Sequence, residues 1–77
     1  MGERLALQYD RKADILYIST RPPYPEQETE ELGDDVLARL NPGTGEIENL
    51  EVLFFSTRLE RGEAFELPVD AHLRRAR

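Results

Sequence analysis

Cysteine and tryptophan are absent from this chain, histidine occurs once, and no stretch approaches the ~18 consecutive apolar residues that a bilayer-spanning helix needs. Without cysteine there is neither a disulfide framework nor a thiolate zinc site. A domain of 77 residues buries only roughly 60–65% of the surface that its unfolded chain exposes. The core is therefore thin, and with the usual small-protein staples missing, self-association is the expected supplement, a homodimer at least. The N-terminus, Met1-Gly2-Glu3-Arg4-Leu5, runs into a strand-like pattern and lacks the look of a signal peptide, so a cytoplasmic setting with no membrane contact is expected.

What the chain has in quantity is negative charge. The net charge is −6 and the pI about 4.7, which works against contact with nucleic-acid phosphates and suits solubility or a basic protein partner. Residues 26–35 hold six acidic side chains, Glu26, Glu28, Glu30, Glu31, Asp34 and Asp35, and no basic one, whereas Arg74, Arg75 and Arg77 crowd the C-terminus. Head-to-tail contacts between copies would use that asymmetry, and a solvated loop with a frayed tail accounts for it equally well.

Periodicity predicts an α+β domain over residues 1–77, a small antiparallel sheet of two hairpins, about four strands, followed by a short C-terminal helix. Leu5, Leu7 and Tyr9 alternate on one face of a first strand, and Asp10-Arg11-Lys12-Ala13-Asp14 closes a hairpin onto Ile15-Leu16-Tyr17-Ile18. That second strand is apolar on both faces, as befits a central position or one covered by a partner. Pro22, Pro23 and Pro25 end it, since proline cannot donate to a ladder. A short edge segment around Gln27–Leu32 follows in the acidic connector, where like charges discourage edge pairing.

The second hairpin runs over Val36–Phe55. Val36, Ala38 and Leu40 share a face, Asn41-Pro42-Gly43-Thr44-Gly45-Glu46 supplies turn residues, and the longest strand opens at Ile47. On it Leu50, Val52 and Phe54 point one way and Asn49, Glu51, Leu53 and Phe55 the other. Ser56 is the expected N-cap of a short helix stopped by Gly62. Phe65, Leu67 and Val69 alternate like a fifth, edge strand despite Pro68, and Asp70 is placed to cap a last turn carrying Leu73.

The run Tyr9-Asp10-x-x-Ala13-Asp14-x-Leu16-Tyr17-Ile18 resembles the opening signature of a family of small prokaryotic domains of unknown function, DUF2283, and Ile47-x-x-Leu50-Glu51-Val52-Leu53 resembles its second half. Together they span roughly residues 5–59. The chain departs from the family pattern at Asn41-Pro42, where an acidic residue is common, and at Asn49, where glycine is frequent; a bulge at Asn49 survives that exchange because Asn tolerates left-handed dihedrals. The resemblance implies a fold and a cytoplasmic prokaryotic setting. It implies no activity, cofactor or site residue.

Few side chains suggest chemistry of their own. Asp10 and Asp14, with Glu51 from another strand, offer oxygens for a hard cation such as Mg²⁺ or Ca²⁺. An Asp at each end of a turn is sufficiently explained by its bonds to turn amides, and a metal site wants more closely spaced oxygens than this region offers. Tyr9 and Tyr17 are placed to pair across the hairpin or to cap the sheet edge, and Arg39 to pair with Glu51 across neighbouring strands. The lone histidine, His72, sits in the tail, which argues against a Ser56-based triad. Gly43-Thr44-Gly45 belongs to a hairpin and leads into no helix, unlike a phosphate loop. No catalytic, cofactor or metal residue is assigned. The expected role is a homo-oligomeric protein-interaction module, with an antitoxin-like acidic partner of a basic toxin as the second reading and a metal-binding protein as the third.

Overall fold

The computed structural model describes residues 4–76. Five antiparallel strands, β1 (Ala6–Asp10), β2 (Ile15–Ser19), β3 (Glu28–Gly33), β4 (Val36–Leu40) and β5 (Ile47–Leu53), precede one helix, α1 (Phe55–Arg61). Their order across the sheet is β1-β2-β5-β4-β3. The last strand to be made therefore sits in the middle, and the chain between β2 and β3 must cross from the interior of the sheet to its far edge. No described helix is long and apolar enough to cross a membrane.

Two-residue alternation puts Leu16, Ile18, Val36, Ala38, Leu50 and Val52 on one face, as the pairs Leu16↔Val52, Ile18↔Leu50, Val36↔Val52 and Ala38↔Leu50 require. Val36 and Ala38 are 0% exposed and Val52 1%. Burying a valine or leucine side chain completely stabilises by roughly 1.5–3 kcal/mol, so these central positions dominate a small core. Phe65, Leu67 and Val69 from the C-terminal segment pack over the same cluster. Their alternation is real, but they contribute side chains and no strand: residues 62–76 contain no strand or helix, and Asp70 caps nothing regular. Arg58 of α1 lies 3.7 Å over the Phe65 ring and holds this segment to the helix.

The sheet has five strands where about four are expected. The extra one is β3, the acidic edge segment extended to Gly33 and joined to β4 by Asp34 and Asp35, both at positive φ (52° and 60°). Two left-handed residues in a two-residue loop match the right-handed twist of a hairpin, and Asp adopts that region more readily than most.

Four further expectations are corrected by local geometry. Tyr9 lies opposite Leu16, whereas Tyr17 lies opposite Gln8, so the two tyrosines occupy opposite faces and do not pair; Tyr9 instead meets Phe55 at 5.7 Å between ring centres. Phe54 leaves the apolar row of Leu50 and Val52 because its backbone turns left-handed (φ 53°), and it stays exposed. It, and not Ser56, is the N-cap of α1; Gly62 ends the helix as expected, at φ 67°. Asn49 keeps a negative φ, and the bulge sits one residue earlier: the partner of β4 passes from Asn49 to Ile47 between Arg39 and Leu40, leaving Glu48 extra.

Candidate functional site

Polar side chains gather at two places, one at each end of the sheet. The first is built on Asp14. Its φ of 58° follows the four-residue loop Arg11–Asp14 and turns its carboxylate towards the start of α1. There Oδ1 accepts from the Ser56 amide (2.9 Å) and from the Tyr9 hydroxyl (2.6 Å), and Oδ2 accepts from the Ser56 hydroxyl (2.6 Å). The Phe55 amide donates to the Asp14 carbonyl at 3.1 Å. Phe54 supplies no side-chain cap, so Asp14 caps the helix from across the fold, with its negative charge at the positive helix end. These donors, Ser56 foremost and then Tyr9, hold the Asp14 carboxyl below its usual range, and the Asp14 bond raises the Tyr9 phenol.

Asp10 does a separate and more local task. Its Oδ1 accepts from the amides of Lys12 (3.0 Å) and Ala13 (3.2 Å) and so closes the turn. The Tyr-Asp-x-x-Ala-Asp signature thus reads as folding chemistry: Asp10 shapes the loop, and Tyr9 and Asp14 dock α1 onto the hairpin.

The second cluster is built on the bulged Glu48, which is 8% exposed. Its Oε1 accepts from the Tyr24 hydroxyl (2.6 Å) and the Gln27 amide (3.1 Å), and its Oε2 from Asn41 Nδ2 (3.3 Å) with Arg21 at 3.3 Å. Gln27 also donates to Asn49 Oδ1 at 2.6 Å, and Asn49 Nδ2 donates to the Arg21 carbonyl at 2.7 Å. The Thr20 amide and hydroxyl both donate to the Glu48 carbonyl at 2.9 Å. Tyr24, then Gln27, lead the donors that keep the Glu48 carboxyl below its usual range, and Glu48 in turn raises the Tyr24 phenol. Sequence reasoning missed Glu48, Tyr24, Gln27, Arg21 and Asn41 as a unit. Their separation along the chain hides it; the one available signal was an acid in the turn-proximal part of an otherwise buried strand.

Every donor in this second cluster outside β5 belongs to the β2–β3 crossover or to the β4–β5 turn. Its physical effect is to pin the crossover to the end of the central strand, with no buried side-chain polar atom left unpartnered among the described residues. Between the two clusters, Arg39 Nε donates to Glu51 Oε2 at 2.6 Å, the cross-strand pair anticipated from the sequence.

The three carboxylates considered for a cation do not converge. Asp14 is engaged by Tyr9 and Ser56, Glu51 by Arg39, and no group of three or more His, Cys, Asp or Glu side chains among the described residues is placed to hold a metal. His72 is exposed in the irregular tail, and Arg74 and Arg75 are exposed beside it, while Arg77 lies outside the described residues. The best-formed hollows, beside Arg58, Arg61 and Phe65 and beside Asp35, Phe54 and Thr57, hold about 40 Å³ each, whereas sites for small-molecule ligands run to roughly 300–1,000 Å³.

What the strands, crossover and pins define is a small antiparallel-sheet scaffold whose polar clusters serve its own connections. The chain belongs to DUF2283, a family described as a protein of unknown function, whose family model matches residues 6–56. No curated protein and no solved structure matches it.

Proposed function

We propose that the chain is a protein-interaction module that acts as a homo-oligomer. The observation that carries this reading is the balance between core and exposed apolar surface. The buried apolar core is Val36, Ala38, Leu50 and Val52, while Leu5, Leu7 and Tyr9 on β1 and the residue before it are 49%, 62% and 39% exposed. Single exposed apolar side chains are ordinary; two leucines and a tyrosine in alternation on one face of an outer strand form a stripe that water solvates poorly. A second copy removes that stripe from water and supplements a core too small to need no help. Sedimentation equilibrium across micromolar concentrations tests it: a mass of two or more chains is expected, and a monomer up to ~100 µM, where even weak dimers with affinities in that range would register, overturns it.

The acidic connector favours a second reading, a basic protein partner of antitoxin type. Glu28, Glu30 and Glu31 are exposed on β3, at the sheet's outer edge, so the acids are held on an ordered strand instead of a loose loop. Complementary charge of this kind speeds association and weakens with salt. Co-purification with the product of an adjacent gene at low salt, lost on charge reversal of Glu28, Glu30 and Glu31, is the expected result. No complex, together with a neighbour whose expression is harmless, removes it.

A further inference from the structure

The sheet has two outer strands, β1 and β3, and their chemistry is opposite. A two-fold pairing of β3 with itself brings the acidic row Glu28, Glu30 and Glu31 alongside the same row of a second copy, and like charges across paired strands are destabilising. The outer strand β1 reads Ala6-Leu7-Gln8-Tyr9-Asp10, with its only ionisable acid at the end, and its backbone is paired on the β2 side alone.

The geometry points to β1 as a self-pairing edge: two copies join antiparallel about a two-fold axis through Leu7, normal to the sheet, and make one continuous ten-stranded sheet. This rests on the homo-oligomeric reading above and specifies its surface. An axis normal to the sheet keeps each face continuous with its counterpart, so odd-numbered residues must meet odd-numbered ones. With Leu7 on the axis, Leu7 faces Leu7, Leu5 faces Tyr9 and Ala6 faces Gln8. The exposed stripe of Leu5, Leu7 and Tyr9 becomes a row of cross-strand apolar contacts on the face that already holds Leu16 and Ile18, which lie opposite Tyr9 and Leu7 within one chain. In the same register Arg4 comes opposite Asp10 of the second copy, an opposite-charge match at both ends of the paired segment. Moving the axis by one residue, to Ala6 or Gln8, keeps the parity but takes Leu7 off the axis and removes both the Leu5–Tyr9 and the Arg4–Asp10 matches. The isologous pairing is closed, so it makes a dimer and no filament, while the acidic β3 edges at the two outer ends resist further growth.

The test uses the cysteine-free background of the full chain. Residues directly opposite in an antiparallel pair have Cα atoms about 4.5–5.5 Å apart, within the roughly 4.4–6.8 Å that a disulfide spans. Leu7→Cys is therefore expected to form a covalent dimer under mild oxidation, and Leu59→Cys, equally exposed on α1 at 64%, is not. Leu7→Lys places two ammonium groups on the axis and is expected to halve the sedimentation mass with an unchanged circular-dichroism spectrum, while Leu59→Lys keeps the wild-type mass. A wild-type chain that is monomeric overturns the homo-oligomeric reading itself. A dimeric wild type whose Leu7→Lys variant stays dimeric and whose Leu7→Cys variant fails to cross-link overturns the β1 interface and leaves that reading standing.

Discussion

Asp14 and Ser56 stand 42 residues apart in the chain and meet through two hydrogen bonds, from the Ser56 amide at 2.9 Å and from its hydroxyl at 2.6 Å. A helix of seven residues whose N-cap, Phe54, offers no side-chain hydrogen bond is held by a hairpin loop. Short helices are marginal in water, so α1 depends on this tertiary cap and on the stacking of Arg58 on Phe65.

Removing the cap therefore uncouples the helix before the sheet. Asp14→Ala is expected to abolish hydrogen-exchange protection at the α1 amides while the β2–β5 ladder stays protected. Ser56→Ala does the same in part, and the double variant loses less than the sum of the two, because both delete one interaction. Equal loss of protection in α1 and β5 contradicts the assignment.

Acid acts on both polar clusters in the same direction. The Asp14 and Glu48 carboxyls lie below their usual range in the folded chain, Asp14 chiefly through Ser56 and Glu48 chiefly through Tyr24. The folded chain thus binds protons less readily than the unfolded one. The stability they contribute is complete above the ordinary carboxylate range, about pH 4–4.5, and is lost as pH falls through and below it. Tyr9 and Tyr24 are raised by the same bonds, so their contribution is complete below about pH 10 and is lost at higher pH. Thermal melts from pH 2 to pH 11 check this: Glu48→Gln should flatten the acid limb, and a slope unchanged in both Glu48→Gln and Asp14→Asn would refute it.

Glu51 is 7% exposed and its partner Arg39 about a third exposed at the side chain. Arg39→Ala leaves a buried carboxylate without its donor, at a cost of about 1–3 kcal/mol in urea unfolding. Replacing both, Arg39→Met with Glu51→Leu, is expected to be near neutral or stabilising, since a buried ion pair pays desolvation that an apolar pair does not. A double variant weaker than Arg39→Ala alone would show that the pair contributes more than its own satisfaction.

Packing at the centre of the sheet tolerates little change. Leu50→Ala is expected to cost roughly 2–5 kcal/mol and Ala38→Leu, which overfills a fully buried position, about 1–3 kcal/mol. Measurements belong at one protein concentration, because a self-associating chain gains apparent stability by mass action. A change below 0.5 kcal/mol, the ordinary scale of a surface substitution, in both variants would place the core elsewhere.

Much of the architecture was legible because local rules govern it. The β1–β2 and β4–β5 hairpins follow from alternation and turn chemistry within 20 consecutive residues or fewer, and Arg39, opposite Asn49, reaches Glu51 two positions on because same-face diagonal neighbours on paired strands lie within reach of long side chains. The Gly62 stop is local for the same reason: a left-handed residue ends the helix at φ 67°. The Tyr9–Tyr17 pair failed on parity. An expected contact across a hairpin requires equal faces, and the Asp10↔Ile15 register sets those two on opposite ones.

By itself the sequence determined strand periodicity, the two principal turns, the acidic edge and family membership, all of which depend on residues a few positions apart. Only the tertiary structure decided that β5 would lie between β2 and β4, that Asp14 would cap a helix it never adjoins, and that Glu48 would gather Tyr24, Gln27, Asn41 and Arg21. The reason is the same in each case. The order of strands is chosen by burial of Val36, Ala38, Leu50 and Val52 on a shared face, and once that order is set, a bulge of one residue aims Glu48 at a crossover more than 20 positions away, a distance over which no local preference carries direction.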